Sequence, residues 1–345
     1  MKRVSVSAVF LLCFGLFLLF LCFPEVVRVS AEESVLFCGK VLIPSLFPGF
    51  VFADLLINLS GNGGGKSPVF ERVFRLPGAM KRCFWIGLLA GFPSAADCAV
   101  RQVQRGEVEK EDAERCLAFT NNPGIVFVVF AVGVGIFGSL RIGFYLWVLQ
   151  TVSSVLIGVL FANQNPACLR VSALDNREIS LKRLLPNAVV SSVSAVLNVC
   201  GFVVFFRVLI TILTFSLPLR PLQAFLAGVL EMTCGVSNFN GFDFLTAILI
   251  SAILGWSGFS VHFQIMSRVA SADLSLKYYF PGKVLQSALS AVLTFGTYPL
   301  FFFTERKSPV LSLIVLITSV ILLLSLRLRK EILWKTKTSA RNGNG

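Results

Sequence analysis

The sequence predicts an all-α polytopic membrane protein of about eight transmembrane helices and two re-entrant helical hairpins in an inverted repeat. Of the 345 residues, 55% are hydrophobic and only 14% are charged, whereas a soluble domain carries about a quarter charged residues. The mean hydropathy is +0.80. Apolar stretches of about 18 residues or more, enough to cross the hydrocarbon as a helix, recur along the whole chain. We therefore expect the lipid bilayer to be its main partner.

The first apolar run covers about 7–29. Its basic start and the Val29-Ser30-Ala31 sequence fit a cleaved signal peptide as well as a retained helix. We favour a retained transmembrane helix in an N-terminal region 1–34, because the apolar run continues past Pro24. Cleavage is the alternative.

Seven further full spans follow, and two more apolar segments, 83–103 and 222–240, are broken in the middle. The first breaks at Phe92-Pro93-Ser94 and the second at Thr233-Cys234-Gly235. Each arm has about ten residues, which at 1.5 Å per residue reaches about half-way across the hydrocarbon. Irregular backbone survives in a membrane only inside protein or beside a wet cavity, so we predict re-entrant hairpins. The full spans are predicted at about 35–59, 113–135, 139–162, 187–217, 243–267, 282–304 and 308–328.

The basic residues orient these segments. With an inside N-terminus, the predicted cytoplasmic pieces carry 24 of the 31 Lys and Arg residues, Lys283 being counted in the piece 268–283, and the outer pieces carry 5. If both hairpins crossed the membrane, the basic residues of 101–115 and 163–183 would move outside. The positive-inside rule therefore favours the hairpins and places both termini in the cytoplasm.

Two halves show the same order of parts: a long span, a hairpin, an interrupted span and a plain span. We place them at 35–162 and 187–304, joined by a cytoplasmic loop at 163–186 and followed by a C-terminal helix and basic tail at 305–345. Each half has three full spans, so the second half is inverted relative to the first. Many secondary transporters build a solute site from such repeats, where broken helices meet near the midplane.

Candidate binding residues lie at the breaks. The carboxylate of Glu231 is functional by default inside a membrane, and it would couple transport to protons, or else it caps free N–H groups of its hairpin. Asp97 is either its counterpart in the first hairpin or faces the cytoplasmic mouth. Asn121 and Asn122 lie at a Pro-Gly break, where they serve a solute or replace lost backbone partners.

A second group of candidates lies near the breaks of the second half. Ser257, Ser260 and Gln264 share one helix face, and polar contacts between helices are the alternative role for them. The complete predicted set for substrate binding is Ser94, Asp97, Asn121, Asn122, Glu231, Thr233, Ser237, Ser257, Ser260 and Gln264.

Several function classes are disfavoured. The net charge of +13 would suggest nucleic acid in a soluble protein, but here the basic residues lie in short loops, and we predict no nucleic-acid partner. The nine cysteines are scattered singly and His262 is the sole histidine, so we predict no metal and no cofactor. No catalytic triad or paired-carboxylate spacing lies near a membrane surface, which argues against an enzyme, including one acting on lipid or cell-wall precursors.

Five strings carry a resemblance to a known family: VLIPSLFPGFVFADLL at 41–56, GLLAGFPSAADCAV at 87–100, FTNNPGIVF at 119–127, GVLEMTCGVSNF at 228–239 and GWSGFSVHFQ at 255–264. Together they resemble the sporulation integral membrane proteins with the nucleoside-recognition "Gate" domain of spore-forming Firmicutes, over roughly 10–305. The resemblance implies a multi-pass protein of the bacterial cytoplasmic membrane, needed for spore formation and distantly similar to concentrative nucleoside transporters. Phe92 stands where the family has Tyr, so one hydroxyl is missing.

We therefore expect a sporulation-associated permease that moves a small polar or nucleoside-like solute by alternating access. The alternative is a non-transporting assembly or signalling factor in spore coat or cortex formation. The sequence identifies neither the solute nor the coupling ion, and it leaves a homo-oligomer open.

Overall fold

The computed structural model describes residues 6–59, 67–162, 181–214 and 220–302, and every helix and turn below lies in these ranges. Regular secondary structure there is helical throughout, apart from one isolated bridge between Gly91 and Pro123. The predicted all-α polytopic membrane fold is confirmed. Five helices in the described ranges are long and apolar enough to cross a membrane: Pro24–Leu56, Leu140–Leu160, Lys182–Thr214, Phe244–Ala272 and Tyr279–Phe302. The predicted span 308–328 lies outside the described residues.

The boundary between the first two predicted spans, 7–29 and 35–59, lies earlier in the structure than the sequence predicted. Helix α1 covers Val6–Cys22, and a new helix starts at Pro24 instead of near residue 35. Proline is favoured at the first helical position, because its missing N–H would have no partner there and its φ is already helical. From Pro24 the chain is one continuous helix, made of α2 (Pro24–Phe37), a π-helical turn (Cys38–Leu42) and α3 (Ile43–Leu59).

The remaining parts of the first half are short helices, a hairpin, an interrupted span and a plain span. Its hairpin has two arms, Lys81–Leu89 with 9 residues and Ser94–Gln104 with 11, and at 1.5 Å per residue neither crosses about 30 Å of hydrocarbon. In order, the elements are α4 (Pro68–Phe74), a 3-10 turn (Gly78–Met80), α5 (Lys81–Leu89), α6 (Ser94–Gln104), α7 (Lys110–Thr120), a π-helix (Val126–Ile136) and α8 (Leu140–Leu160).

The second half has the same order of parts. Its hairpin breaks at Glu231, two residues before the predicted Thr233, because the Glu231 carboxylate caps the arm that follows and lets the helix restart at once. Its interrupted span breaks at Ser257, a residue in left-handed conformation with φ 76°. The elements are α9 (Leu181–Thr214), α10 (Arg220–Leu230), α11 (Met232–Ser237), α12 (Phe244–Trp256), α13 (Gly258–Val269), a 3-10 turn (Ala270–Ala272) and α14 (Tyr279–Phe302).

The two halves share one core. Helices α2 and α3 pack along α9, and α14 packs against α12, α8 and α7. A single cluster of buried apolar side chains includes Leu46 and Phe119 from the first half and Val203 and Ile250 from the second. Large apolar side chains face outward, as on α1, where Phe10 and Leu11 are two-thirds exposed, and such a surface suits lipid.

Candidate functional site

The hairpin tips and the interrupted spans meet at one cavity. It is lined by Phe92 from the first hairpin, Pro123 from the first interrupted span, Glu231 and Thr233 from the second hairpin, and Gln264 from α13. Apolar side chains of α3 and α9 close its sides. The enclosed space that a water molecule could occupy is about 20 Å³, about the room that one water needs, so the cavity is narrow in this conformation. Backbone breaks in both halves thus lie around one volume.

In the first half, the hairpin tip is fastened to the interrupted span through the backbone. The N–H of Phe92 donates to the carbonyl oxygen of Asn122 at 3.1 Å, and Gly91 and Pro123 form an antiparallel bridge. Gly91 has φ 81°, and a Cβ placed on it would lie 2.3 Å from the backbone nitrogen of Gly124. Only glycine allows this approach.

The second half repeats this arrangement. Gly258, with φ 83°, lies so close to the second hairpin that an added Cβ would be 2.9 Å from the backbone nitrogen of Met232. The indole N–H of Trp256 donates to the carbonyl oxygen of Val229 at 3.0 Å. Each hairpin is therefore packed on the break of its own half.

Glu231 is 2% exposed and both of its carboxylate oxygens accept hydrogen bonds. One accepts from the backbone N–H of Cys234 at 2.6 Å and the other from the hydroxyl of Thr233 at 2.7 Å. No ion pair joins Glu231 to a basic residue within the described ranges. Glu231 thus caps α11, as one of the two interpretations held, and at the same time lines the cavity.

Gln264 offers a free acceptor at the cavity. Its side-chain nitrogen donates to the hydroxyl of Ser260 at 3.5 Å, while its Oε1 is buried and has no partner among the described residues. Ser257 and Ser237 donate to carbonyl oxygens of their own helices, those of Leu254 and Cys234. Of these predicted residues, only Gln264 lines the cavity, so the three serines lie behind it.

The two asparagines at the first break complete the end of α7. The amide of Asn121 donates to the carbonyl oxygen of Leu117 at 3.1 Å, and that of Asn122 donates to the carbonyl oxygen of Phe119 at 2.7 Å and to the hydroxyl of Ser154 at 2.9 Å. These carbonyls lost their helical partners at the break. The amide groups therefore replace backbone partners, and neither side chain lines the cavity.

Asp97 and Ser94 lie on α6 away from the cavity. Asp97 is 3.8 Å from the guanidinium of Arg268, at the end of α13. One turn further along α6, Arg101 pairs with Asp54 of α3 at 3.2 Å. Asp97 thus lies beside a cation and outside the cavity that Glu231 lines, so the two carboxylates do not occupy matching positions; whether Asp97 faces a cytoplasmic mouth stays a prediction.

Lys283 is a buried charge that the sequence did not indicate. The topology predicted from the basic residues placed it in a cytoplasmic piece, whereas it is completely buried in α14. The ammonium donates to the backbone oxygen of Asn121 at 2.9 Å, to Oδ1 of Asn122 at 3.3 Å and to Oε1 of Gln286 at 2.8 Å. A lysine at the start of a span is typical of a residue that reaches the membrane surface, so its position alone gave no sign of burial.

Lys283 begins a buried polar stripe on α14. Gln286, Ser290 and Thr294 continue it at spacings of three and four, and all are fully buried. They bond to side chains of α8 and α12; for example, Thr294 donates to the hydroxyl of Ser251 at 2.7 Å and Ser290 bonds to that of Ser153 at 2.9 Å. The spacing of polar residues in an apolar helix was the available signal.

Within the described residues, no group of three His, Cys, Asp or Glu side chains is arranged to hold a metal ion. The imidazole of His262 is paired through Nδ1 with the hydroxyl of Tyr279 at 2.9 Å.

Among known proteins, the chain is similar to the sporulation integral membrane protein YlbJ of Bacillus subtilis (strain 168). The two are 27% identical over 313 residues, which cover 78% of this chain and 77% of that protein. No family model matches the chain, and no solved structure matches it significantly. The resemblance to the sporulation integral membrane proteins is confirmed by this similarity, while the Gate domain stays a prediction.

Proposed function

We propose that this chain, a relative of the sporulation integral membrane proteins, is a permease that binds a small polar or nucleoside-like solute and moves it by alternating access. The observation that carries the proposal is the meeting of both hairpin tips and both interrupted spans at one cavity. Broken helices gathered around a central site are the usual construction of secondary transporters. The proposed role is binding and movement, without catalysis.

The cavity combines apolar walls with hydrogen-bond acceptors. Phe92 and Phe127 offer ring faces or edges, and Leu46 and Val203 add aliphatic surface. Such walls would suit the flat body of a base-like solute in a conformation in which the cavity has widened to admit it.

The acceptors suit a solute that carries N–H or O–H groups. Glu231 uses one position on each carboxylate oxygen for Cys234 and Thr233, and an ionised carboxylate has about four such positions. The free Oε1 of Gln264 adds a further acceptor. A solute that donates to both would satisfy groups that are costly to leave unpaired in a membrane.

The separate fastening of each hairpin supports alternating access. The tip at Gly91 is fastened to Pro123 in the first half, and the break at Gly258 is fastened to Met232 in the second. In this proposal each half moves as a unit, and rocking of one half against the other, with repacking of the shared core, opens the cavity to one side at a time.

Uptake into proteoliposomes tests the proposal. Wild-type protein should accumulate labelled nucleosides or other small polar solutes above empty liposomes. Glu231→Gln keeps the shape but weakens charge-assisted hydrogen bonds worth about 1.5–3 kcal/mol, so uptake should fall about 10-fold to 100-fold.

The matched control is Glu25→Gln, because Glu25 is exposed at the start of α2 and its ionic partner among the described residues is Arg28. Its uptake should equal that of the wild type. The rival role, as an assembly or signalling factor, predicts no uptake of any solute tested and normal spore formation in cells that carry Glu231→Gln.

A further inference from the structure

The end of α7 holds a charge that the proposed solute site does not use. Lys283 is 0% exposed, and no carboxylate in the described ranges lies within ion-pair distance of it. All three of its partners, on Asn121, Asn122 and Gln286, are neutral oxygens. An unpaired charge at this depth is costly, so these oxygens must supply its solvation.

The three partners are arranged as cation ligands. A neutral amine has only two N–H groups, whereas an ammonium has three, and each of the three oxygens accepts one. The amide nitrogen of Asn122 is engaged by Phe119 and Ser154, which turns its oxygen toward Lys283. The amide nitrogen of Gln286 is likewise directed to Gln150, which leaves its oxygen for the ammonium.

Helix α7 supplies the third ligand and, at its C-terminus, an electrostatic field that favours a cation. Asn121 ends α7, so its carbonyl oxygen has no partner within the helix. The C-terminus of a helix carries a partial negative charge of about half an electron, which favours a cation there. In secondary transporters, unwound carbonyls and the C-terminal ends of half-helices coordinate Na⁺ or H⁺.

We propose that the end of α7 is a binding site for a small monovalent cation, and that this chain fills it with its own lysine ammonium. The ligands are two side-chain amide oxygens and one backbone carbonyl, all directed at one point. Lys283 belongs to α14 in the second half and α7 belongs to the first half, so the ammonium also connects the two.

One consequence rests on the proposed function. If the chain is a permease, the tethered ammonium takes the place of a mobile coupling cation at this position, and uptake by the wild type should be the same in Na⁺, K⁺ and choline salts. This consequence concerns transport, whereas the existence of the site is tested without any solute.

Thermal melting of the purified protein in detergent tests the site. Lys283→Ala removes the ammonium and leaves the three oxygens facing a void. In choline chloride, whose cation is too large to enter, the variant should melt well below the wild type. Methylammonium should raise the melting temperature of the variant by several degrees with a saturable dependence, and should leave the wild type unchanged.

Two variants serve as controls. Lys283→Met fills the void with an apolar chain, so it should melt low and show no response to methylammonium. Lys40→Ala removes an exposed lysine from the long helix and should show neither a loss nor a response.

A Lys283→Ala protein whose melting temperature is the same in choline, methylammonium, K⁺ and Na⁺ would overturn the proposal, as would a wild type that responds equally. If the variant is recovered folded only when membranes are extracted in methylammonium, the site is supported. If extraction in each of these cations, methylammonium included, yields no folded variant, the proposal fails. Because no solute takes part, this result is independent of whether uptake is observed.

Discussion

Replacement of Gly91 by alanine should separate the first hairpin tip from the interrupted span. An added Cβ would lie 2.3 Å from the backbone nitrogen of Gly124, whereas real Cβ contacts are essentially never shorter than 3.0 Å. The tip must therefore retreat by about 0.7 Å, and the hydrogen bond from Phe92 to Asn122, already 3.1 Å long, would be stretched with it.

The loss of unfolding free energy caused by Gly91→Ala is the sum of two contributions. A left-handed backbone costs a non-glycine residue about 1–2 kcal/mol. Overpacking against backbone adds about 1–3 kcal/mol. Gly91→Ala should therefore lower the free energy of unfolding by about 2–5 kcal/mol.

Gly106→Ala isolates the contribution of the left-handed backbone. Gly106 has a similar positive φ of 68°, but an added Cβ there would meet nothing within 4 Å. This variant should lose only about 1–2 kcal/mol.

The assay is SDS-induced unfolding in mixed micelles, with solute uptake measured in parallel. The expected order of stability is wild type, Gly106→Ala, Gly91→Ala, and only Gly91→Ala should also lose uptake. If the two variants were equally stable, the close approach of tip and break would be energetically unimportant, and our account of how each half is held together would be wrong.

Two further outcomes follow from contacts elsewhere. Gly235→Ala should destabilise the second hairpin by about 1–3 kcal/mol in the same unfolding assay, because the added Cβ would lie 2.1 Å from the Cα of Gly228. Its control is Gly201→Ala, which has open space around the added Cβ and should leave stability unchanged or raise it by about 0.5–1 kcal/mol. Asp243 caps the N-terminus of α12, and hydrogen bonds from the N–H and hydroxyl of Thr246 hold the pKa of its carboxyl below the ordinary 3.8. This carboxylate should therefore stabilise the protein above pH 3.8, and its contribution should be lost as the pH falls through the lower pKa of the folded state. Asp243→Ala should therefore melt below the wild type at neutral pH, by an amount equivalent to about 0.5–2 kcal/mol, and the difference should vanish in strong acid.

The broken segments were accessible from sequence because a proline or glycine inside an apolar run is a local signal. Phe92-Pro93-Ser94 marks the first tip within a few residues of where the chain turns. At the second tip the signal was weaker, since Thr233-Cys234-Gly235 looked like the breaker and the carboxylate of Glu231 in fact ends one arm and caps the next.

Lys283 and Asp97 show what the sequence could not supply. The role of Lys283 depends on the oxygens of Asn121 and Asn122, which come from another helix more than 160 positions earlier. Asp97 looked like an intramembrane carboxylate, but its neighbour Arg268 was 171 positions away along the chain. Partners from distant segments decide whether a charge is solvated, paired or free, and periodicity within one helix carries no information about them.

The unbroken helix from Pro24 to Leu59 also predicts which parts of the chain lie on opposite sides of the membrane. Glu25 near its start and Asp54 near its end are about 44 Å apart at 1.5 Å per residue, close to the full thickness of a bilayer with its headgroups. Asp54 pairs with Arg101, next to the turn at 105–109, whereas Glu25 pairs with Arg28 in the first turns of the helix. We therefore expect that turn and the beginning of the helix to face opposite aqueous compartments, so that establishing the compartment of either one would assign the other.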